Sequence, residues 1–277
     1  MNAIVHSGRI ASRWRPTPVI LLSMALHAVA IGYAIAGPDG SAWWALAAMA
    51  ANHTFLGTLG LWPRSTWLGP NIVRLPAAAK ARGEIVLTFD DGPDPEVTPR
   101  VLEMLDAHGV RATFFCIAER AAQHPELVRE ILRRGHTVEN HSRTHRATFP
   151  MLGLGGIRRE ITGAQHVLNE ITGHAPRFFR PPAGLRNPLL DPVLHELGLR
   201  LVSWTRRGYD TNRSDADDVA GRLLDSLAAG DVLLLHDGHC ARTDAGAPVV
   251  LEVLPRVLEA AHASGLKPVT LSQAIDP

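Results

Sequence analysis

The run Ile85-Val86-Leu87 leads straight into Thr88-Phe89-Asp90-Asp91-Gly92-Pro93, and this stretch limits what the chain can become. Its aliphatic and β-branched residues have the length of a buried strand, and Gly92-Pro93 ends it. Two carboxylates are thereby left side by side at a strand end. Adjacent carboxylates repel, so they persist cheaply only when solvated, when capping a helix, or when held by a cation. The pattern alone leaves two readings open, a metal site or an Asp-Gly-Pro turn that caps the next helix.

From Glu84 onward strand-like and helix-like segments alternate, which predicts an α/β architecture with a largely parallel sheet or barrel. Helices are expected over 96–107, 125–134, 155–172, 189–197, 215–228 and 249–263, and strands over 112–117, 137–139, 177–180, 200–204, 231–235 and 267–270. Sites in such folds gather at strand ends. His141 and His145 follow one strand with the i, i+4 spacing that puts two imidazoles on one face of a helical turn, where they can share an ion. Arg180-Pro181-Pro182-Ala183-Gly184 closes another strand, Tyr209-Asp210 ends the polar loop after Trp204, and His236-Asp237-Gly238 ends the clearest buried strand. Each has an ordinary reading alone. Among 14 histidines one i, i+4 pair arises by chance, an Arg before a proline turn is often a surface residue, and a lone His is often structural.

The bulk numbers exclude some classes. With 28 basic and 27 acidic residues in 277, the net charge of +1 does not ask for nucleic acid. Cys116 and Cys240 are too few for a disulfide framework.

The N-terminal part reads differently. Thr17 to Ala36 is an uncharged, mostly apolar run of spanning length, and Ser41 to Trp62 is a second, weaker one, interrupted by Asn52, His53 and Thr54. Five of the six Trp, at 14, 43, 44, 62 and 67, flank or end these runs, where interfacial aromatic belts belong. Gly37-Pro38-Asp39-Gly40 joins them as a tight turn, so a transmembrane helical hairpin is expected. Arg9, Arg13 and Arg15 precede it, and Arg64, Arg74, Lys80 and Arg82 follow. By the positive-inside rule both ends then face the cytoplasm, in a bacterial-type inner membrane. Alternatives are a cleaved signal peptide ending at Ala34-Ile35-Ala36, a lone anchor with the second run on the membrane surface, and two core helices of a soluble protein. The expected organisation is a basic segment 1–16, two membrane helices 17–62, a linker 63–83 and a main domain 84–277.

The four motifs Thr88-Phe89-Asp90-Asp91-Gly92-Pro93, His141-Ser142-Arg143-Thr144-His145, Arg180-Pro181-Pro182 and Leu234-Leu235-His236-Asp237, in this order, resemble the polysaccharide deacetylases, carbohydrate esterase family 4, with their NodB-homology domain. The resemblance covers about residues 84–272. It implies a deformed (β/α) barrel and a metal-dependent hydrolase that removes the N-acetyl group of an amino sugar in a polysaccharide or glycolipid. It also implies that Asp91, His141 and His145 hold a divalent metal, usually zinc, that Asp90 is the catalytic base oriented by Arg180, and that His236 is the general acid. Asp210 is the candidate carboxylate that keeps His236 charged. Pro181, Trp204 and Leu235 are expected at the substrate, Trp204 as an aromatic wall and Leu235 against the acyl methyl. Two departures leave the glycan open. Many members carry an aromatic residue at the position of Ala183 and a Trp at that of Thr211. A domain on the cytoplasmic side would not meet polymerised wall glycan, so a lipid-linked sugar, acetylated or formylated, is the alternative substrate. The competing class is a non-catalytic, membrane-bound glycan-binding protein.

Overall fold

The structure is a computed structural model that describes residues 13–277. Arg9 and the rest of the basic segment up to residue 12 lie outside the described residues. The described residues form two compact units, divided between His53 and Thr54.

Helices α1 (Pro18–Ala36) and α2 (Ser41–Leu61) come first. Thr17 caps α1, and Pro18 fills its first turn, where a missing N–H is no loss. Within the first unit α1 touches the part of α2 that ends at His53. Asn52 Nδ2 donates to Ser23 Oγ at 2.8 Å, and the rings of His27 and His53 are 5.0 Å apart. Leu22, Val29 and Ile35 of α1 are exposed, so α1 is not the core helix of this unit. Among the described residues, α1 is the one helix long and apolar enough to cross a membrane, by length and composition only. The second run is helical as expected but falls short of that measure, because Asn52, His53 and Thr54 dilute it.

The second unit continues with α3 (Ala77–Ala81), β1 (Glu84–Asp90), α4 (Thr98–Ala107), β2 (Thr113–Cys116), α5 (Ala118–Gln123), α6 (Pro125–Arg133), β3 (Thr137–Asn140), α7 (Leu154–Thr172), β4 (Phe178–Phe179) and α8 (Leu190–Leu197). After these come β5 (Arg200–Leu201), β6 (Arg206–Arg207), α9 (Ala216–Leu224), β7 (Val232–His236), α10 (Val249–Ala263), β8 (Lys267–Pro268) and α11 (Leu271–Ile275). All named strand pairs are parallel, in the order β5-β4-β3-β2-β1-β7-β6, with β8 beside the start of β1. The end strands β5 and β6 do not pair with each other, so the sheet curls as an open, half-barrel α/β fold.

Strand alternation sorts the side chains into two layers. Ile85, Leu87 and Phe89 of β1, with Leu233 and Leu235 of β7, pack outward against Leu102, Val219, Val253 and Leu254 of the helices. Val86 and Val232 face the other way, with Phe115, Phe178 and Val202. Thr88, Asp90, Leu234 and His236 share their parity, so the polar ends of β1 and β7 point where the site forms. Helix ends obey local chemistry. Asp215 caps α9 by accepting from the backbone N–H of Asp217 and Asp218, α7 and α8 stop at left-handed Gly173 and Gly198, and Thr270 with Gln273 forms a capping box on α11.

Residues 63–83, expected as a linker, are bound into this unit. Ile72 bridges Val202, and Leu68, Leu75 and Ala79 are buried. The helix expected over 215–228 ends at Leu224, and β4 and β5 are shorter than anticipated.

Candidate active site

A cavity of about 430 Å³ opens where β1, β3, β4 and β7 end. Asp90, Asp91, His141, His145, Trp204, Leu234 and His236 border it, with Ala183, Arg207, Thr211 and His239.

Consecutive strand residues point to opposite faces, so Asp90 and Asp91 could not both reach it in an extended strand. Asp91 has φ +71°, a left-handed turn that brings its carboxylate back to the side of Asp90. Gly92 follows because nothing else fits, since a Cβ there would lie 2.2 Å from the Asp237 carboxylate.

Asp90 is held from one side. The fully buried Arg180 at the end of β4 donates from Nη1 to Asp90 Oδ1 at 2.6 Å and to Thr88 Oγ1 at 2.9 Å, and from Nη2 to the carbonyl of Ser203 at 2.8 Å. Its guanidinium lies 4.2 Å from the centre of the Phe115 ring. A buried charge is tolerable only when paired and hydrogen-bonded, and this Arg is both.

Asp91 faces imidazoles. His141 Nε2 and His145 Nε2 each lie 3.1 Å from Asp91 Oδ1. His141 Nδ1 is 2.7 Å from the carbonyl of Arg180, which accepts its proton and leaves Nε2 toward the carboxylate. The segment 141–145 is not the helical turn that the spacing suggested. It is a loop in which Ser142 and His145 have φ +66° and +53°, braced by Ser142 N donating to Asn140 Oδ1 at 2.9 Å and His145 N to Ser142 Oγ at 3.1 Å.

The electrostatics of this trio ask for positive charge. Burial alone would raise the Asp91 carboxyl, but His141, His239 and His145 outweigh it and hold it well below the usual carboxylate range. Burial opposes charge on His141, yet Asp90 and Asp91 raise it above its ordinary value. His145 is lowered to about 4 by burial and by His141. Asp91 Oδ1 is buried without a hydrogen bond, and one donor atom from each of Asp91, His141 and His145 lies within 4.8 Å of the others. An orphaned carboxylate oxygen facing two imidazole nitrogens is a donor set that fits a divalent cation.

His236 has a different partner. Its Nδ1 lies 2.8 Å from Asp210 Oδ1, and its backbone N–H donates to Asp210 Oδ2 at 2.7 Å. Burial lowers the imidazole, and the Asp210 carboxylate, helped by Asp90 and Asp91, more than reverses this, so it is raised to about 9. The structure thus brings Asp90, Asp91, His141, His145, Arg180, Asp210 and His236 together.

Trp204 forms a wall of the cavity, but Leu235 does not line it. Leu235 has the outward parity of Leu233 and is buried among the helices; Leu234, in register with Thr88, faces the cavity instead. Pro181 is buried and shapes the turn, its carbonyl accepting from Gly184 N at 2.8 Å, rather than bordering the cavity. Sequence reasoning missed His239, whose Nδ1 is 3.4 Å from Asp91 Oδ2, and Arg207. It also missed Asp237, a buried carboxyl raised to about 7 by burial while accepting from Thr98 Oγ1 at 2.6 Å. Period-two counting from His236 would have found Leu234; nothing in the sequence marks His239.

The chain is similar to known proteins in sequence and fold. A family profile described as polysaccharide deacetylase matches residues 77–202. The chain is 32% identical over 197 residues to a chitooligosaccharide deacetylase of Sinorhizobium fredii, covering 69% of this chain and 91% of that protein. It is 32% identical over 178 residues to a peptidoglycan-N-acetylglucosamine deacetylase of Bacillus cereus, covering 64% of each. Among solved structures, a family 4 carbohydrate esterase from Streptomyces lividans in complex with acetate is similar with a TM-score of 0.60 and 34% identity, over 67% of this chain and 91% of that one. The chain spans under two thirds of the length of the Bacillus cereus relative.

Proposed function

The chain belongs to the polysaccharide deacetylase family, and we propose that it hydrolyses the N-acetyl group of an N-acetylglucosamine-type amino sugar in a glycan or glycolipid. The observation that carries this reading is the separate support given to its two acid–base groups, Asp90 by the buried Arg180 and His236 by Asp210.

Asp91, His141 and His145 would hold a divalent metal, with zinc favoured by the nitrogen-rich donor set. When bound, such an ion supplies Lewis acidity that polarises the amide carbonyl and acidifies water. Asp90 takes the proton of the attacking water, and its Oδ2 is the free oxygen for that task because Oδ1 is engaged by Arg180. As the C–N bond breaks, His236 delivers a proton from Nε2 to the departing amine, since Nδ1 is turned to Asp210. The products are acetate and the free amino sugar. Trp204 offers a stacking face, and Leu234 is the apolar contact for the acyl methyl. The relatives named above act on peptidoglycan N-acetylglucosamine or chitooligosaccharides, which supports an N-acetylglucosamine unit here.

We further infer that α1 anchors the protein in a membrane with α2 returning beside it, and that the main domain faces the cytoplasm, as the basic residues on both flanks suggest.

The test pairs zinc content with acetate release from N-acetylated oligosaccharides. Asp90→Asn should keep its metal and lose about 10²-fold or more in rate. His141→Ala should lose the metal itself. Equal rates in wild type and Asp90→Asn would remove Asp90 as base, and normal zinc in His141→Ala would overturn the ligand set.

A further inference from the structure

Beside the central cavity lies a second cleft of about 440 Å³ that shares Trp204 and Arg207 with it. Arg64, Arg206 and Arg222 also border this cleft, as do Tyr209 and a single acid, Asp225. The four guanidinium groups are not equivalent. Arg206 is neutralised by the buried Asp231, and Arg222 pairs with Asp218 at 3.0 Å. Arg64 is exposed and reaches the carbonyl of Thr205 at 3.4 Å. Arg207 lies in no carboxylate pair among the described residues, and its Nε is buried without a hydrogen-bond partner. Its guanidinium is held instead over the rings of Trp204, 5.3 Å from the centre, and Tyr209, at 4.9 Å.

A cation laid against two aromatic rings keeps its N–H edge free, and guanidinium is the side chain whose fork matches phosphate oxygens. Aromatic faces next to it suit a sugar ring. Two cations on one cleft that lie in no carboxylate pair among the described residues also match the double charge of a phosphate better than a single carboxylate. Resting on the deacetylase reading, we infer that the amino sugar taken by this site carries a phosphate group, bound by Arg207 and Arg64 while the N-acetyl group lies in the central cavity. The position of Arg207, common to both spaces, gives it the role of a specificity-determining residue.

The experiment uses the full chain in detergent. Calorimetry measures binding of N-acetylglucosamine, its 1-phosphate and 6-phosphate, N-acetylmuramic acid, and polyprenyl-phosphate-linked N-acetylglucosamine, and acetate release is followed separately. A phosphorylated sugar should bind about 10- to 100-fold more tightly than the parent sugar, as charge-assisted hydrogen bonds require. Arg207→Gln should erase that ratio, Arg207→Lys should recover part of it, and the exposed Arg64→Gln should reduce it several-fold. Equal affinities in wild type, a ratio unchanged in Arg207→Gln, or tighter binding of N-acetylmuramic acid would each overturn the phosphate subsite. Phosphosugar preference without acetate release would sink the deacetylase reading and leave the subsite standing; acetate release without the preference would do the reverse. Stronger binding of the polyprenyl-linked sugar than of the free phosphosugars assigns the phosphate to a lipid headgroup, and equal binding assigns it to a soluble sugar phosphate.

Discussion

Asp210→Asn isolates the charge that keeps His236 protonated. The substitution preserves an oxygen able to accept from the His236 backbone N–H, now 2.7 Å from Oδ2, while removing the carboxylate 2.8 Å from Nδ1. With Asp210 charged, the imidazole is raised to about 9 against a burial effect that lowers it. A return to its ordinary 6.5 would correspond to roughly 3 kcal/mol less stabilisation of the imidazolium. Because the folded-state value is raised, the pair's contribution to stability is complete below pH 6.5 and fades as pH rises through about 9. For catalysis, the basic limb of the pH profile of kcat/KM should fall near 9 in wild type and move to about 6.5 or lower in the variant. At pH 8 this leaves about one thirtieth of the acid form in the variant, and acidification to pH 6 restores most of it. Acetate release is therefore followed from pH 5.5 to 10 and compared as the ratio of variant to wild type. A basic limb that stays at the same pH in Asp210→Asn would refute the idea that Asp210 sets the acid, whatever the drop in overall rate.

Three further outcomes follow from the geometry. Leu235→Ala should cost about 2–5 kcal/mol in urea unfolding, since it opens a hole in the outer core, whereas Leu234→Ala should enlarge the acyl end of the cavity and improve turnover of longer N-acyl groups relative to acetyl. The same acyl preference in both variants would contradict the assigned parity. Gly184→Ala places a Cβ 2.4 Å from the Trp204 ring at φ +74°, so Trp204 must shift; KM should rise more than kcat falls, with altered Trp fluorescence, and an unchanged KM would exclude Trp204 from sugar binding. A phosphatase reporter fused after residue 82 should be inactive in cells, and strong activity there would reverse the proposed cytoplasmic orientation.

The parallel α/β architecture was legible because stretches such as 232–235 are apolar on both faces and the helices carry clear stripes. The site was legible by order, Asp-Asp then His-x-x-x-His then Arg then His, at successive strand ends. Local geometry was less so. An i, i+4 pair suggests a helix, but the loop holding His141 and His145 is fixed by Asn140 and Ser142 accepting backbone N–H groups, information that lies in contacts rather than period. The Leu235 assignment failed by one residue, and in a strand one residue is a change of face. Asp237 looked like part of a turn; its burial beside Gly92 and Thr98 depends on two segments far apart in the chain.

Backbone strain ties these points together. Seven described non-glycine residues have positive φ, and four of them, Asp91, His145, Ala183 and His239, border the central cavity. Each left-handed residue costs about 1–2 kcal/mol relative to a relaxed conformation, so their concentration on one cavity is held in place by the surrounding packing. Asp91 gives the reason such strain persists. Left extended, it would point away from Asp90 into the apolar outer layer of Leu87 and Phe89, where a charge without a partner would cost far more. The turn at Asp91 instead sets one carboxylate against Arg180 and the other against two imidazoles. Replacing the Asp91 backbone conformation, not only its carboxylate, would therefore destroy the division of labour between two adjacent and otherwise identical side chains.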